Sequence, residues 1–317
     1  MHPESDRVIC IGGATVDRKY RANESVHLRT SNPVVSKRSF GGVARNVAEN
    51  IVRLGAKASL ISILGQDENG AAIRENLKAA GVDTQYVTLS SDHATAEYVA
   101  VLEPNGDLAL GLADMAIFDA LTPALLQQCW PEMSASWIFA DCNLPSSTLH
   151  ELVGSARRDS SMLAVDAVSM LKVARLPRDL NGVGLLFLNL DEAQALLGRS
   201  ATVPEDMAAA LLKRGAARVV LTLGEAGLIA MDAFGHTRVG ASPAQVVDAT
   251  GAGDALIAGT LVAMMNGHSL ANAAQMGTVA AALTLECPDS VRPDLSLALL
   301  ESVMARNANQ RLEGETL

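Results

Sequence analysis

The sequence predicts an α/β protein in which helices cover both faces of a mostly parallel β-sheet. Short apolar runs alternate with helical stripes along most of the 317 residues, and this alternation is typical of parallel sheets. Glycines and polar residues follow several apolar runs, at the places where open α/β sheets bind their ligands. The composition, 49% apolar and only 3% aromatic, requires a core made mainly of aliphatic side chains.

The individual elements follow in chain order from their apolar periodicity. Strands are expected at 8–13, 58–64, 137–140, 162–165, 185–188 and 219–222. Helices are expected at 44–54, 68–80, 146–157, 191–197 and 204–214, and another begins at Ala255.

Two regions break the alternation. Residues 15–40 are polar and carry no helical stripe, whereas 95–112 has the pattern of a hairpin with a turn at 104–107. We expect the two regions to form a small β-sheet that covers the main sheet as a lid. The chain is therefore predicted to be a single domain over residues 1–317, with lid strands from about 15–40 and 95–112.

The charge and cysteine content limit the possible partners and compartment. A formal net charge of -10 argues against nucleic acid and anionic membranes as partners, since both require a basic surface. The four cysteines are scattered without a C-x-x-C pair, which indicates free thiols in a reducing compartment. No signal peptide or apolar run of spanning length is visible. These observations predict a cytoplasmic protein.

Residues 248–254, with the sequence Asp-Ala-Thr-Gly-Ala-Gly-Asp, form the most informative segment. At the start of a helix, the backbone around Gly251, Ala252 and Gly253 offers N–H groups that suit an anion hole for a phosphoryl group. Asp254 beside them is suited to take a proton from a hydroxyl during the transfer. Taken alone, the segment is also explained as a turn between a strand and a helix.

The whole string, followed by a helix rich in small residues, resembles the C-terminal signature of the ribokinase-like (PfkB) carbohydrate and nucleoside kinases. The resemblance implies a ribokinase-like three-layer α/β/α fold with a β-sheet lid, the use of ATP and Mg²⁺, and a homodimer formed through the lid. It makes Asp254 the catalytic base. It also implies a monovalent cation, K⁺, bound beside Asp248 and Thr250.

A second set of residues matches the family's N-terminal signature. Asp17 follows the first strand, and Gly41, Gly42 and Asn46 lie at the start of the next helix. Taken alone, Asp17 is a loop residue and the glycines are a helix entry. The resemblance implies that these four residues hold the sugar through hydroxyl and amide hydrogen bonds. No role is assigned to Arg45, which we expect to face solvent.

A third set follows the later strands. Asn189 and Glu192 begin a helix, where they suit a capping arrangement. They also match the family's N-x-x-E motif, which implies contact with phosphate and, from Glu192 through water, with Mg²⁺. Thr222 and Gly224 close the next strand, and the resemblance implies that they contact ATP. A plain strand end is the alternative explanation for this pair.

Within the family, the resemblance is greatest to the pseudouridine kinases, which phosphorylate the ribose 5′-hydroxyl of that C-nucleoside. The resembling segments are 30–33, 40–50, 113–115, 140–143 and 293–296. The resemblance implies that Ser31, Asn32, Asp114 and Asn143 pair with the uracil face or the ribose hydroxyls. Taken singly, these four residues are equally explained as turn, loop and cap residues.

Several alternatives stay open on the sequence alone. The protein is alternatively another kinase of the family, such as a ribokinase, fructokinase or adenosine kinase. A non-catalytic nucleoside sensor is disfavoured by the intact glycines and Asp254. A Rossmann dehydrogenase is disfavoured because no G-x-G-x-x-G follows the first strand. One departure from the family, Ala167 in place of a proline, leaves the role of Asp166 open.

Overall fold

The computed structural model describes residues 7–129, 137–199 and 203–314. The strands are β1 (Arg7–Ile11), β2 (Thr15–Ala22), β3 (Val34–Gly41), β4 (Lys57–Gly65), β5 (Val87–Ser90), β6 (Glu97–Leu102), β7 (Leu108–Asp114), β8 (Trp137–Asp141), β9 (Leu163–Asp166), β10 (Val183–Asn189), β11 (Arg218–Thr222), β12 (Leu228–Asp232) and β13 (Gly235–Val239). The α-helices are α1 (Val43–Arg53), α2 (Glu68–Ala80), α3 (Pro123–Cys129), α4 (Ser146–Asp159), α5 (Leu190–Leu197), α6 (Pro204–Lys213), α7 (Ala252–Met265), α8 (Leu270–Leu285) and α9 (Leu297–Gly314).

The main sheet has the strand order β13-β12-β11-β10-β9-β8-β1-β4-β5. From β11 to β5 every neighbouring pair is parallel, whereas β12 and β13 add an antiparallel edge. Because parallel strands end at the same edge of a sheet, the loops after β1, β8, β9, β10 and β11 lie side by side.

Each face of the main sheet has its own apolar core. In β1, Val8 and Cys10 belong to the core shared with α1, α7 and α8, while Ile9 and Ile11 belong to the core shared with α4 and α6. This alternation follows from the two-residue period of a strand. Helices thus cover both faces, and the predicted three-layer α/β/α fold is confirmed.

The lid is a smaller sheet with the strand order β3-β2-β6-β7. β2 pairs antiparallel with β3 and parallel with β6, and β6 pairs antiparallel with β7. The sheet is built from the two regions that broke the alternation in the sequence. Its position after β1 brings β2 and β3 to the edge of the main sheet where the ligand loops lie.

The structure differs from the sequence prediction at particular elements. β5, the antiparallel strands β12 and β13, and the helices α8 and α9 were not predicted. The apolar run before the glycine-rich segment forms no strand: Val246 and Val247 expose 68% and 61% of their surfaces. The backbone N–H of Val247 instead donates to the carbonyl of Leu285 at 2.8 Å. The glycine-rich segment is therefore anchored on α8 rather than on a strand.

Two further observations concern features raised by the composition. Cys10, Cys142 and Cys287 are free and buried, and the side chain of Cys129 lies outside the described residues. Among the helices that the structure describes, none has the length and apolarity needed to cross a membrane.

Candidate active site

A pocket of about 230 Å³ lies where the parallel strands β10 and β11 end. Polar residues from five elements line it: Asp166, Asn189, Glu192, Thr222 and Asp254. Because the ends of neighbouring strands and the start of α7 meet here, residues far apart in the chain share one cavity.

The start of α7 forms one wall of the pocket. Gly251 precedes the helix with φ of 84°, and a Cβ at this position would lie 1.9 Å from the carbonyl oxygen of Ser290. Only glycine fits this left-handed conformation and close approach. Above Gly253, a Cβ would meet no atom of the described residues within 4 Å. The first helical turn, whose N–H groups have no partners within the helix, thus opens onto free space.

Asp254 projects from this first turn into the pocket. Its Oδ2 accepts a hydrogen bond of 2.7 Å from Nδ2 of Asn46 on α1. The pKa of Asp254 is raised from 3.8 to about 7, mainly because the carboxyl is buried. The Asn46 bond and the Arg45 charge lower this pKa, and the charge of Asp141 raises it. A carboxylate whose pKa lies near neutrality is suited to proton transfer.

Arg45 lies behind Asn46, and the expectation that it faces solvent is wrong. Only 3% of Arg45 is exposed. Its Nη1 donates to Oδ1 of Asn46 at 2.8 Å, and its Nη2 contacts Glu49 and lies 2.5 Å from Oδ1 of Asn76. Because the guanidinium holds the oxygen of the Asn46 amide, the nitrogen of that amide faces Asp254. The chain Glu49–Arg45–Asn46 therefore orients the donor to Asp254.

The predicted sugar residues lie around the same point. Asp17 on β2 accepts a hydrogen bond of 2.9 Å from the hydroxyl of Thr15. Burial raises the pKa of Asp17, although the Thr15 bond and the charge of Lys19 lower it. Gly41 ends β3 opposite Thr15. Gly42 has φ of 94° and leaves only 2.4 Å between a Cβ position and the carbonyl oxygen of Gly13. Close backbone contact here brings the start of α1, and so Asn46, against the loop after β1.

Asp141 at the end of β8 holds these loops together. It is fully buried, and its carboxylate accepts hydrogen bonds of 2.9 Å each from the backbone N–H groups of Gly13, Ala44 and Asn143. Burial raises the pKa of Asp141, while these three bonds lower it. The carboxylate fixes the start of α1 and the loop after β1 relative to β8.

Asn143 lies beside Gly13 in the same loop cluster. Only 6% of Asn143 is exposed, and its Oδ1 accepts from Nζ of Lys172 at 2.5 Å. Arg175 donates to the carbonyl oxygen of Asn143 at 2.7 Å. The Lys172 contact fixes the side-chain amide of Asn143 and the Arg175 contact fixes its backbone. Sequence reasoning missed both of these cationic groups.

Asn189 and Glu192 form a complete capping box at the start of α5. The side chain of Asn189 accepts from the N–H of Glu192 at 2.9 Å, and Glu192 accepts from the N–H of Asn189 at 2.8 Å. Both residues also line the pocket together with Thr222. Gly224 begins a short 3₁₀ turn just beyond Thr222. Capping thus holds the two side chains at the pocket wall without removing them from it.

The pocket is short of positive charge. Burial raises the pKa of Asp166 well above its ordinary value, and the charges of Glu192, Asp254 and Asp141 raise it further. In the described ranges, no three His, Cys, Asp or Glu side chains are grouped as a metal site. Mg²⁺ commonly uses one or two carboxylates together with the phosphates of its nucleotide. Glu192 and Asp166, both hard oxygen donors, fit that mode of binding.

The side chains of Asp248 and Thr250 contact Lys19 of the lid. Lys19 on β2 pairs with Oδ2 of Asp248, and its Nζ is 3.1 Å from Oγ1 of Thr250. Burial raises the pKa of Asp248, but the bonds from Lys19 and Thr250 outweigh it and hold the pKa below its ordinary value. Lys19 was missed in the sequence, although its position two residues after Asp17 places both on one face of β2.

Three of the predicted substrate residues are not among those that line the pocket. Ser31 is exposed and Asn32 half-buried in the loop beyond the Ala22–Val34 pair, about 23 Å along the hairpin from Thr15 at a rise of about 3.3 Å per residue. Asn32 holds its own loop, accepting from the N–H of His27 at 2.8 Å. Asp114 ends β7 at the surface, in a shallow depression with Asn69.

The geometry therefore defines a class of protein. A pocket carboxylate with a raised pKa, next to an open helix start and facing groups that suit a sugar, is the arrangement of a small-molecule phosphotransferase. The chain belongs to the pfkB family of carbohydrate kinases, whose sequence pattern matches residues 5–296. Kinases of this family act on a sugar or nucleoside hydroxyl and use ATP.

Relatives and solved structures agree with this membership. The chain is 31% identical over 306 residues to the pseudouridine kinase of Escherichia coli (strain K12), covering 95% of this chain and 97% of that enzyme. It superposes on a carbohydrate kinase from Agrobacterium tumefaciens with a TM-score of 0.83 and 30% identity, covering 95% and 97% of the two chains. The ribokinase of Arabidopsis thaliana, solved with ribose and ATP, gives a TM-score of 0.81 at 21% identity over 95% and 98%.

Proposed function

We propose that this protein is an ATP-dependent pseudouridine kinase, which transfers the γ-phosphate to the ribose 5′-hydroxyl. The observation that carries the transfer is the position of Asp254, a carboxylate with a pKa of about 7 beside the open start of α7. The choice of pseudouridine is supported by the 31% identity to the pseudouridine kinase of Escherichia coli over nearly the whole chain.

Asp254 is the proposed catalytic base. Its carboxylate takes the proton of the 5′-hydroxyl as that oxygen attacks the γ-phosphorus, and ADP leaves in line. The backbone N–H groups at the start of α7, in the segment Gly251–Gly253 and at Asp254 itself, stabilise the charge on the transferred phosphoryl group. Asn46 keeps the carboxylate pointed at the hydroxyl through its 2.7 Å hydrogen bond.

The acceptor is proposed to lie between the lid and the loop cluster. Asp17, Gly41, Gly42 and Asn46 are proposed to hold the ribose hydroxyls. Asn46 bonds to Asp254, and Asp17 is close enough for its charge to raise the pKa of Asp254. We propose that Asn143 pairs with the base, since Lys172 holds its side-chain amide and Arg175 holds its backbone carbonyl.

The remaining base contacts depend on the lid. Ser31 and Asn32 lie about 23 Å along the hairpin from Thr15 at a rise of about 3.3 Å per residue. They are therefore proposed to contact the base only where the lid of a second copy brings them to the site. Asp114, at the base of the lid, is proposed to contact the acceptor when the lid presses down.

The nucleotide is proposed to occupy the pocket beside β10 and β11. Asn189 contacts phosphate, and Thr222 and Gly224 contact ATP beyond the strand ends. Glu192, through water, and Asp166 would hold Mg²⁺, which when bound neutralises charge on the phosphates.

The assembly is proposed to be one kinase domain that dimerises through the lid in the cytoplasm, where ATP is available. Leu110 and Leu112 alternate along the regular part of β7 and therefore share one face of the lid. They expose 48% and 54% of their surfaces. A second copy would cover these leucines. Sedimentation velocity tests the proposal, and a monomer at micromolar concentration would contradict it.

Steady-state kinetics on five acceptors tests the function. Pseudouridine, uridine, adenosine, ribose and fructose are compared with ATP and Mg²⁺ by coupled detection of ADP. We expect the highest kcat/KM for pseudouridine, and a preference for uridine would overturn the substrate. The control is Asp254→Asn, which should bind both substrates but lose turnover by roughly 10²–10⁴-fold. Ligand binding by the wild type without ADP formation would indicate a sensor instead.

A further inference from the structure

Two lysines of the lid hold the two sides of the glycine-rich loop. Lys19 on β2 lies directly opposite Lys37 on β3. Lys19 pairs with Asp248 on one side of the loop. Lys37 lies 2.8 Å from Oδ1 of Asp289 and 2.7 Å from the carbonyl oxygen of Pro288 on the other side. The lid thus delivers two ammonium groups to the segments that meet at the start of α7.

The two segments are in direct contact beneath these lysines. A Cβ at Gly251 would lie 1.9 Å from the carbonyl oxygen of Ser290, so the segment 288–290 packs on the turn that opens the helix. A charge placed here acts on the N–H groups that receive the phosphoryl group. The two lysines differ in exposure: the Lys19 and Asp248 side chains are each 25% exposed, whereas Lys37 and Asp289 are 44% and 46% exposed.

The side chains that the family resemblance assigns to K⁺ do not fit that ion here. Oδ2 of Asp248 is paired with Lys19. Oδ1 of Asp248 accepts from the N–H and the hydroxyl of Thr250, at 2.9 and 2.6 Å. The same hydroxyl oxygen is 3.1 Å from the Lys19 ammonium. A potassium ion would have to take these oxygens from bonded partners and sit against a like charge.

We propose that the Lys19 ammonium, carried by the lid, replaces the monovalent cation at this loop, so that phosphoryl transfer needs no K⁺. Since Asp17 and Lys19 share one face of β2, the strand that covers the sugar also brings the charge. Lid closure and completion of the anion site are then one event. The turnover tests of this inference rest on the kinase function proposed above, whereas the test by thermal unfolding does not.

The first test uses the wild-type protein alone. Turnover of ATP and pseudouridine is measured with Mg²⁺ in potassium chloride and in tetramethylammonium chloride at equal ionic strength. We expect kcat to agree between the two salts. The inference would be overturned if kcat were about tenfold or more lower in tetramethylammonium chloride and recovered on adding potassium chloride. A tenfold loss is equivalent to one missing interaction of about 1.4 kcal/mol.

The second test uses Lys19→Met with Lys37→Met as its matched control. Without potassium, kcat of the Lys19 variant should fall by about tenfold or more. This loss should stay below the roughly 10²–10³-fold loss of kcat that follows removal of a hydrogen-bond donor to the oxyanion itself. Potassium chloride should restore it, because the substitution frees the oxygens of Asp248. The Lys37 variant should show no difference between the salts. Full turnover of the Lys19 variant without potassium would overturn the inference.

A substrate-free measurement separates this inference from the proposed function. The thermal unfolding midpoint is recorded in the same two salts, because an ion that binds the folded state raises it. We expect equal midpoints for the wild type and a higher midpoint in potassium chloride for Lys19→Met. A potassium-specific rise in the wild type would overturn the inference even if pseudouridine proves not to be the substrate.

Discussion

Replacing Asp254 by asparagine should make the folded protein more stable at pH 8 while removing its activity. Burial raises the pKa of Asp254 from 3.8 to about 7. A group with a raised folded-state pKa contributes stability that is fully present below the unfolded pKa and is lost as the pH rises through the folded pKa. In the wild type, that loss therefore occurs between about pH 4 and pH 7. Asparagine does not titrate and avoids it.

The size of the effect follows from the difference between the two pKa values. Each pH unit in this window lowers the free energy of unfolding by about 1.4 kcal/mol, because the unfolded chain releases the proton while the folded state keeps it. The total reaches about 4 kcal/mol near pH 7 and stays constant above it. The asparagine side chain can still accept the hydrogen bond from Asn46, so the packing around the site is retained.

Urea denaturation at pH 5, 6, 7 and 8 measures this difference directly. The free energy of unfolding of Asp254→Asn minus that of the wild type should grow across the series and level off near pH 7. The control is Asp119→Asn, at an exposed aspartate in the 3₁₀ turn Ala116–Ala120, which measures the effect of the same exchange outside the pocket. A flat difference for Asp254→Asn, or one that shrinks with pH, would refute the reasoning.

Three further predictions concern the same site. The kcat/KM of the wild type should rise about tenfold between pH 6 and pH 8, because Asp254 must be ionised to act as a base and its pKa is about 7; a profile without an inflection there would contradict the assignment. Arg45→Met removes the donor to Asn46 and a charge that lowers the pKa of Asp254, so the inflection of the pH–rate profile should move to higher pH, whereas Arg45→Lys should shift it less. Gly251→Ala should lower the free energy of unfolding in urea by about 1–3 kcal/mol and abolish turnover, because φ is 84° and the added methyl would meet Ser290. An unchanged free energy of unfolding would contradict this prediction and show that the turn relaxes.

Local sequence pattern was sufficient for the elements that repeat with a clear period. The helical stripe at 44–54 and the apolar run at 185–188 correctly placed α1 and β10, and with them Asn46 and Glu192. Of the antiparallel strands, β12 is a buried apolar run too short to be told from a helix segment by its period, and β13 is mostly exposed and carries little apolar signal. The explanation of the glycine-rich segment as a turn between a strand and a helix would make the run 244–247 a strand, but its valines are exposed and form none.

The contacts of the site were less predictable because they join distant parts of the chain. Lys19 and Asp248 are 229 residues apart, and nothing near either residue in the sequence indicates the other. Arg45 was expected at the surface because a charged residue in a helix usually lies there. Its burial depends on Glu49, one turn further along α1, and on Asn76, a partner that only the packing of α1 on α2 supplies.

The carboxylate of Asp141 also constrains when the site forms during folding. Its hydrogen bonds to Gly13 and Ala44 close chain loops of 128 and 97 residues. Contacts between such distant residues carry a loop-closure cost and form late in folding. A nascent chain that ends before β8 already contains Asp17 and Asn46, yet it lacks the carboxylate that bonds the loop after β1 and the start of α1 to the central sheet. Acceptor binding would therefore report completed folding of the central sheet rather than any early intermediate.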